Sequence, residues 1–240
     1  MNIVRAVLLI IIFIFATSLP SQGKATKSSV AGQDKVSAQI LNAGKKLLTA
    51  GKPREAIQYF EKAAANYEGK FQKDTAKFFS ARSRAESLAY MLEAATEKKD
   101  ARVVSADWAY AYYFKAYALT ELGKLSESKM ALERALALSP WNSQFLSELG
   151  HIYQLEKNWP MALQTFQRSE RAAKEFSPPE SKNFELARAW RGLGYTYVEL
   201  SQIDEAEKMY RQCLELDKND QRALDELRYV RDLRAKSIDL

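Results

Sequence analysis

A repeated spacing of small residues constrains this chain of 240 residues more than any other feature. Three stretches each carry a small residue followed, twelve positions later, by another: Ala116 and Ser128, Gly150 and Ala162, Gly194 and Ala206. The step from the first stretch to the second is 34 residues, and the next step is 44 residues, which is one period plus ten. A period of 34 residues predicts an array of similar units, and such arrays usually bind partners instead of catalysing reactions.

Each unit is expected to be a pair of antiparallel helices. Small residues such as Gly150 and Ala162 suit a point where two backbones cross closely, and the large side chains of Tyr153 and Phe166 would fill the space around that crossing. Turn-forming residues lie where the first helix should end and the second should begin: Gly51 to Pro53, Gly123 and Lys124, Asn158 to Pro160, and Ser201 and Gln202. The chain is therefore predicted to be all-α.

The stretch with Gly194 and Ala206 carries the most complete residue motif of the three. Apolar, small and aromatic residues follow one another there at fixed spacing: Trp190, Leu193, Gly194, Tyr197, Ala206 and Tyr210. This series resembles the signature of the tetratricopeptide repeat, and the resemblance extends over about residues 37–220. It implies a right-handed superhelical solenoid of stacked antiparallel helix pairs. The implied units are 37–70, 71–108, 109–142, 143–176 and 187–220, of which the second is degenerate.

Three segments depart from the regular repeat. Residues 71–108 lack the small-residue pattern and carry an apolar stripe in steps of three or four residues: Phe78, Ala81, Ala85, Leu88, Leu92 and Ala95. The stripe favours one long helix over about residues 74–98, with a helical hairpin as the alternative. The ten extra residues, 177–186, include two prolines and are expected to form an inserted loop. Residues 221–236, which have one apolar stripe among many charges, are predicted to be a capping helix.

The N-terminus has the pattern of a secretory signal. Arg5 precedes an apolar run from residue 6 to residue 19, and small residues follow near Gly23. This run is shorter than the roughly 20 residues that cross a bilayer. Residues 1–23 are therefore predicted to be a cleaved signal peptide, with an uncleaved N-terminal anchor as the alternative. Residues 24–36 are small and polar, and they are expected to form a flexible linker.

The charges and the cysteine content narrow the class of protein. The formal net charge is only +6, and basic residues alternate with acidic residues along nearly every predicted helix, which argues against a nucleic-acid-binding surface. The single cysteine, Cys213, cannot form an internal disulfide, even in an oxidising space outside the cytoplasm. Because the matching position of the other units holds a small residue, Cys213 is expected to pack in the core.

Residue patterns typical of catalytic or metal sites are missing from the sequence. The chain has one histidine, His151, and it has no Cys-x2-Cys pair, His-x-His pair, glycine-rich phosphate loop or Gly-x-Ser-x-Gly motif. A catalytic triad or a metal site would have to be built around that single imidazole. We therefore expect no catalytic residues, no metal and no cofactor.

One helical face is expected to bind a partner. In each unit, the positions six and three before the first small residue, and one after it, share a face of the first helix. The resemblance implies that this face lines a concave groove for a partner's peptide, and the residues placed there are Tyr110, Tyr113, Tyr117, Gln144, Ser147, His151, Arg188, Arg191 and Tyr195. Aromatic and arginine side chains are also favoured at interface hot spots. For the three tyrosines, packing against the middle helix is the alternative.

These features predict a non-catalytic scaffold or adaptor of the cell envelope, periplasmic or secreted, that binds a protein or peptide and no nucleic acid. The alternative is a membrane-anchored assembly or structural factor of an envelope complex for secretion, pilus formation or polysaccharide export. Such a factor would contact the membrane through its uncleaved N-terminal segment. Some proteins that carry this repeat are cytosolic co-chaperones, which bind a partner's C-terminal carboxylate with lysine, asparagine and arginine side chains. The resemblance to that carboxylate clamp is incomplete here, because Glu148 replaces an asparagine and the third unit supplies Arg188 alone.

Overall fold

The computed structural model describes residues 26–238. The elements of this part of the chain are α1 (Thr26–Thr49), α2 (Pro53–Phe71), β1 (Lys77–Ala81), α3 (Arg84–Thr96), β2 (Ala101–Ser105), α4 (Asp107–Glu121), α5 (Leu125–Leu138), α6 (Ser143–Leu155), α7 (Trp159–Glu175), α8 (Pro179–Glu199), α9 (Ile203–Leu216) and α10 (Gln221–Ile238). The predicted signal peptide, residues 1–23, lies outside the described residues. Among residues 26–238, none of the helices combines the length and the apolar character that a membrane crossing needs.

Most of the molecule is a stack of helix pairs. The pairs are α1 with α2, α4 with α5, α6 with α7, and α8 with α9, and they stack through contacts of α2 with α4, of α5 with α6, and of α7 with α8. At the end of the stack, α10 packs on α9. The apolar core is distributed along the array, in clusters that include Phe60, Leu132 and Tyr210. This architecture confirms the predicted all-α solenoid.

Glycines lie where the two helices of a pair come close together. A Cβ atom built on Gly194 would stand 2.6 Å from Cζ of Tyr210, and one built on Gly150 would stand 2.8 Å from Cε2 of Phe166. Both rings are buried, so they fill the volume that a larger residue would need. The repeat register inferred from the small residues therefore agrees with the packing of the helices.

Each regular helix pair turns through a residue with a positive φ angle. Gly51 and Gly123 have φ values of 71° and 72°, a region that glycine enters without steric cost. Lys157 and Ser201 occupy the corresponding positions of the later pairs, with φ values of 56° and 60°. The turns thus fall at or directly beside the positions that the sequence predicts.

The middle unit is not the single long helix over residues 74–98 that the sequence predicts. It is a strand, a helix and a second strand, with β1 and β2 paired in parallel over their full length. Phe78 and Phe79 explain the strand, because consecutive residues of a strand point to opposite faces. The ring of Phe79 stacks on Tyr90 of α3 with a centroid distance of 5.1 Å, while Phe78 packs on Phe71 of α2 at 4.4 Å. In a helix, consecutive side chains would not point to opposite sides in this way.

The apolar stripe that suggested the long helix lies on the exposed side of α3. Leu88 is 72% exposed and Leu92 is 63% exposed. The residues of α3 that are buried are Glu86, Tyr90 and Ala94. The stripe has helical periodicity, but it marks a surface of α3 and not a face packed in the core.

Two segments expected to be irregular are largely helical. α8 begins at Pro179, so most of residues 177–186 forms its first turns instead of a loop. A proline in the first turn of a helix sacrifices no hydrogen bond, and this explains why the proline pair starts the helix. Near the N-terminus, α1 begins at Thr26, so the expected linker at residues 24–36 is helical from residue 26 onward. The segment predicted to be a capping helix forms α10.

Candidate binding groove

A groove of about 650 Å³ opens between α4, α6, α8 and α10. Six of the nine side chains predicted from the sequence line it: Tyr117, Ser147, His151, Arg188, Arg191 and Tyr195. The stacking of the units explains this convergence, because α6 contacts both α4 and α8. One face of three successive units thereby becomes one continuous surface.

The groove presents exposed aromatic and imidazole side chains. Tyr117, His151 and Tyr195 are exposed, and each comes from a different helix pair. Trp159 supports Tyr195 from the side, with the two ring centroids 6.3 Å apart. Ser147, by contrast, is buried at the base of the groove. Large and rigid side chains gain much contact area for little loss of conformational freedom, so the two tyrosines are the best placed to contact a partner.

The two groove arginines are already engaged by carboxylates of the chain. Arg188 forms an ion pair with buried Glu148, and Arg191 forms one with Asp220. Burial lowers the pKa of Arg188, but its interactions with Tyr113 and Glu148 outweigh this effect and raise the pKa above its ordinary value. The ion pairs hold both guanidinium groups in place and leave them poorly suited to clamp a further carboxylate.

Tyr110, Tyr113 and Gln144 do not line the groove. Tyr113 is 3% exposed, and its ring stacks on Phe145 of α6 at a centroid distance of 4.9 Å. Tyr110 meets the same ring edge-on at 5.3 Å, and its hydroxyl donates to Oε1 of Gln144 at 3.3 Å. Burial raises the pKa of Tyr113 to about 12. These three side chains hold α4 against α6, so the two tyrosines pack against a neighbouring repeat and not against a long middle helix.

The groove also contains residues that the sequence analysis did not single out. Phe184 is exposed at its edge and lies on the same face of α8 as the two arginines and Tyr195, at steps of four, three and four residues. The periodicity of α8 could have revealed Phe184, but the expected loop at residues 177–186 concealed it. Glu121 of α4 and the α10 residues Arg222 and Asp225 are exposed as well, and they add two negative charges and one positive charge to the lining.

Neither a metal-binding cluster nor an exposed thiol is found in the described part of the chain. Within residues 26–238, no cluster of three or more His, Cys, Asp and Glu side chains could hold a metal ion. Cys213 is buried, and its thiol lies 3.5 Å from the carbonyl oxygen of Ala187 as a hydrogen-bond donor. Burial raises the pKa of this thiol to about 12, and a protonated, buried thiol is a poor nucleophile.

A buried ion triad fixes the β1–α3–β2 unit to the start of α8. Arg82 donates to Oε1 of Glu86 from Nε at 2.8 Å and from Nη2 at 2.6 Å, and to Oε1 of Glu185 from Nη1 at 2.6 Å. All three side chains are buried. Burial lowers the pKa of Arg82, but the two carboxylates outweigh it and hold the pKa well above its ordinary value. Because Glu185 is adjacent to Phe184, this triad positions the part of α8 that begins the groove.

Tetratricopeptide repeat models match two parts of the chain, residues 109–140 and residues 143–219. These residues form the pairs α4–α5, α6–α7 and α8–α9. Residues 109–140 and 143–219 therefore match tetratricopeptide repeats, and the resemblance inferred from the sequence is confirmed over these residues. No curated protein matches the sequence.

Several solved structures are similar to this fold at low sequence identity. The structure titled "Functional Characterization of Pseudomonas Aeruginosa pilF" has a TM-score of 0.60 and 14% identity, over 86% of this chain and 72% of that chain. The crystal structure of MamA has a TM-score of 0.50 and 19% identity, over 80% of this chain and 84% of that chain. The first TPR of Spaghetti (RPAP3), bound to an HSP90 peptide, has a TM-score of 0.48 and 21% identity, over 55% of this chain and 97% of that chain.

Proposed function

We propose that this chain is a non-catalytic protein-interaction scaffold that binds a protein or peptide segment in the groove between α4, α6, α8 and α10. Tetratricopeptide repeats are in general interaction modules and not enzymes, which supports the class of function. The observation that carries the proposal is the placement of Tyr117, His151 and Tyr195, which are exposed in one groove although they come from three successive repeats.

The chemistry of the groove favours a partner segment with apolar or aromatic side chains over a strongly acidic one. Exposed Phe184, Tyr117 and Tyr195 supply apolar area. A partner carboxylate that approached Arg188 would compete with the ion pair to Glu148, and the displaced carboxylate would remain buried without a partner. Affinity is therefore expected to come from ring contacts, with Glu121 and Arg222 setting the direction of the bound segment.

Tyr117→Ala and Tyr195→Ala are each expected to weaken the binding of a groove-directed peptide by about 1–2 kcal/mol, which corresponds to roughly 5- to 30-fold in Kd, as truncation of an interface hot spot does. The reason is the loss of ring area at the centre of the contact. A random peptide library displayed on phage supplies the probe, and calorimetry on the selected peptide measures the affinity. The melting temperature should change little, because both rings are exposed in the free protein.

Tyr59→Ala is the matched control, since this tyrosine is also exposed but lies on α2 and away from the groove. It should leave peptide affinity unchanged. Equal losses in the control and the groove variants, or full affinity in both groove variants, would contradict the proposal and place the binding surface elsewhere.

We further propose that the chain is exported and works in the cell envelope, in the periplasm or outside the cell. The support is Arg5, the apolar run from residue 6 to residue 19 and the small residues near Gly23, which fit a secretory signal. The alternative is a membrane-anchored assembly factor of an envelope complex, in which the same segment stays in the membrane.

N-terminal sequencing of the protein made in a Gram-negative host is expected to find a mature start between residues 19 and 26. This result is expected because a run of this length suits a signal peptide better than a membrane span. Intact Met1 in the membrane fraction would show that the segment is an anchor and would favour the assembly factor.

A further inference from the structure

One edge of the two-stranded sheet is open. The backbone N–H of Lys77 donates to the carbonyl oxygen of Asp100 at 2.8 Å, and this bond fixes which residues of the parallel ladder face each other. Every second residue of a parallel strand bonds to its neighbour, so the backbone groups of Arg102 and Val104 bond to β1. The N–H and C=O groups that point away from β1 are those of Ala101, Val103 and Ser105.

The outer edges of β1 and β2 differ. On β1, the carbonyl group of Ser80 accepts a hydrogen bond from the hydroxyl of Ser139, and α5 packs against the strand. On β2, the N–H and C=O groups of Val103 form no hydrogen bond within the part of the chain that the structure describes, and its side chain is exposed. An open row of backbone donors and acceptors is the surface to which a further strand adds.

A cleft of about 600 Å³ lies beside the open edge, and β2, α1 and α2 contribute to its lining. The apolar part of the lining consists of Tyr67, Phe71, Phe78 and Val104. The charged part consists of two ion pairs, Lys70 with Asp34 at 2.6 Å and Arg102 with Asp74 at 2.5 Å. Because the four charges cancel in pairs, the cleft matches an uncharged segment better than a basic or acidic one.

The cleft also contains a buried polar group without a partner, the hydroxyl of Tyr67. The residue is 2% exposed, and within residues 26–238 this hydroxyl has no hydrogen bond of acceptable geometry. Burial raises the pKa of Tyr67 to about 12, while nearby Ser105 lowers it and Asp34 raises it, and both of these residues line the same cleft. Buried polar groups are normally hydrogen-bonded, so the hydroxyl indicates where a polar atom of a ligand would fit.

We propose that an extended, uncharged segment of a partner protein adds to the open edge of β2 as a third strand. The open backbone groups recur at every second residue, about 7 Å apart, which is the repeat of another extended main chain. Such a segment would exchange hydrogen bonds with Val103, and its alternate side chains would enter the cleft, one of them reaching the hydroxyl of Tyr67. The cleft shares no residue with the groove between α4, α6, α8 and α10, so it is a second binding surface.

Amide hydrogen exchange followed by NMR tests whether the edge is open in the free protein. The amides of Val103 and Ser105 should exchange at least about tenfold faster than those of Arg102 and Val104, because only the latter two donate to β1. Protection of Val103 that rises with protein concentration would show that a second copy covers the edge. Protection at every concentration would show that the chain itself covers it. Either result would overturn the proposal.

A capped seven-residue peptide of alternating threonine and valine is the probe for binding. Its addition should slow the exchange of the Val103 amide and shift the NMR signals of Tyr67. The same peptide, N-methylated at its three central residues, lacks the main-chain donors there and should not bind. Equal binding of the two peptides, or an unprotected Val103 amide at about 1 mM peptide, would contradict strand addition.

Val103→Pro should abolish binding of the threonine–valine peptide, because proline has no N–H to donate. The strand should survive, since an edge strand tolerates proline where the N–H faces solvent. Val103→Thr is the matched control, which keeps the N–H and a β-branched side chain and should bind as the parent does. Tyr67→Phe should weaken binding roughly 2- to 10-fold at an unchanged melting temperature. Equal losses in Val103→Thr and Val103→Pro would contradict a role for the backbone N–H.

Tyr117→Ala distinguishes this site from the groove. The threonine–valine peptide should bind Tyr117→Ala as it binds the parent protein, since Tyr117 lines the groove and not the cleft. If Tyr117→Ala loses the peptide and Val103→Pro keeps it, the peptide occupies the groove and strand addition is wrong. A failure at β2 would leave binding in the groove intact, so the two proposals are tested separately.

Discussion

Arg82→Ala is expected to lower the free energy of unfolding by about 3–5 kcal/mol, because it leaves two carboxylates buried without their cation. Glu86 is fully buried and Glu185 is 3% exposed, so water cannot replace the lost guanidinium group at either site. Burial raises the pKa of Glu86 even beside Arg82, so loss of the guanidinium group would disfavour the charged carboxylate further. Chemical denaturation followed by circular dichroism measures the loss.

Arg102→Ala is the matched control. Arg102 also pairs with one carboxylate, Asp74, at 2.5 Å, but its side chain is 56% exposed, and an exposed pair contributes only about 0–1 kcal/mol. The combined change of Arg82→Met with Glu86→Gln and Glu185→Gln should recover part of the stability, because no unpaired charge then remains buried. Equal stability of Arg82→Ala and the parent protein would mean that the three side chains do not form a buried triad in solution.

The triad shows why the middle unit could not be predicted from the sequence. Arg82 joins Glu185 across 103 positions, and β1 pairs with β2 across an entire helix. Neither contact produces a recognisable pattern among neighbouring residues of the sequence, because each joins residues that are far apart along the chain. The apolar stripe of α3 has helical periodicity, but periodicity alone cannot distinguish a face that packs in the core from a face that stays exposed.

The regular repeats were predictable because their signal is local. The glycine of the first helix and the aromatic ring of the second, such as Gly150 and Phe166, meet within one helix pair, and the spacing between them is fixed by two helices and a turn. The sequence therefore determines the register of α4 to α9 without any long-range information. Residues 177–186 were predicted to be a loop because they contain two prolines, at positions 178 and 179. Proline does end a helix, but it is also favoured in the first turn of the next helix, and this is its position in α8.

The groove was predictable in part for the same reason. Counting from the small residues puts six of the nine predicted side chains in the lining of one groove, since the first helices of successive repeats expose the same face. The count fails at Tyr113, because Phe145 of the next repeat covers that position. Contacts between repeats depend on the side chains that happen to face one another, and a single helix does not encode them.

Gly194→Leu is expected to lower the free energy of unfolding by about 1–3 kcal/mol, because overpacking forces the neighbouring side chains and backbone to shift. Even a Cβ atom at this position would stand 2.6 Å from Cζ of Tyr210 and 2.7 Å from its Cε1. The Tyr210 ring cannot move away freely, because it is fully buried between α8, α9 and α10 and its hydroxyl donates to Glu226 at 3.3 Å. Thermal unfolding monitored by circular dichroism measures the effect.

Gly69→Leu provides the contrast within the same chain. Gly69 lies in α2, and a Cβ atom there would meet no atom within 4 Å. Replacing an exposed helical glycine removes a conformational cost of about 0.5–1 kcal/mol, so this variant should melt at the same temperature as the parent or slightly higher. The two variants add the same side chain to a helix, and only the repeat register distinguishes them. Equal melting temperatures for Gly194→Leu and Gly69→Leu would therefore show that Gly194 is not at a helix crossing, and that the register shared by the three repeats is wrong.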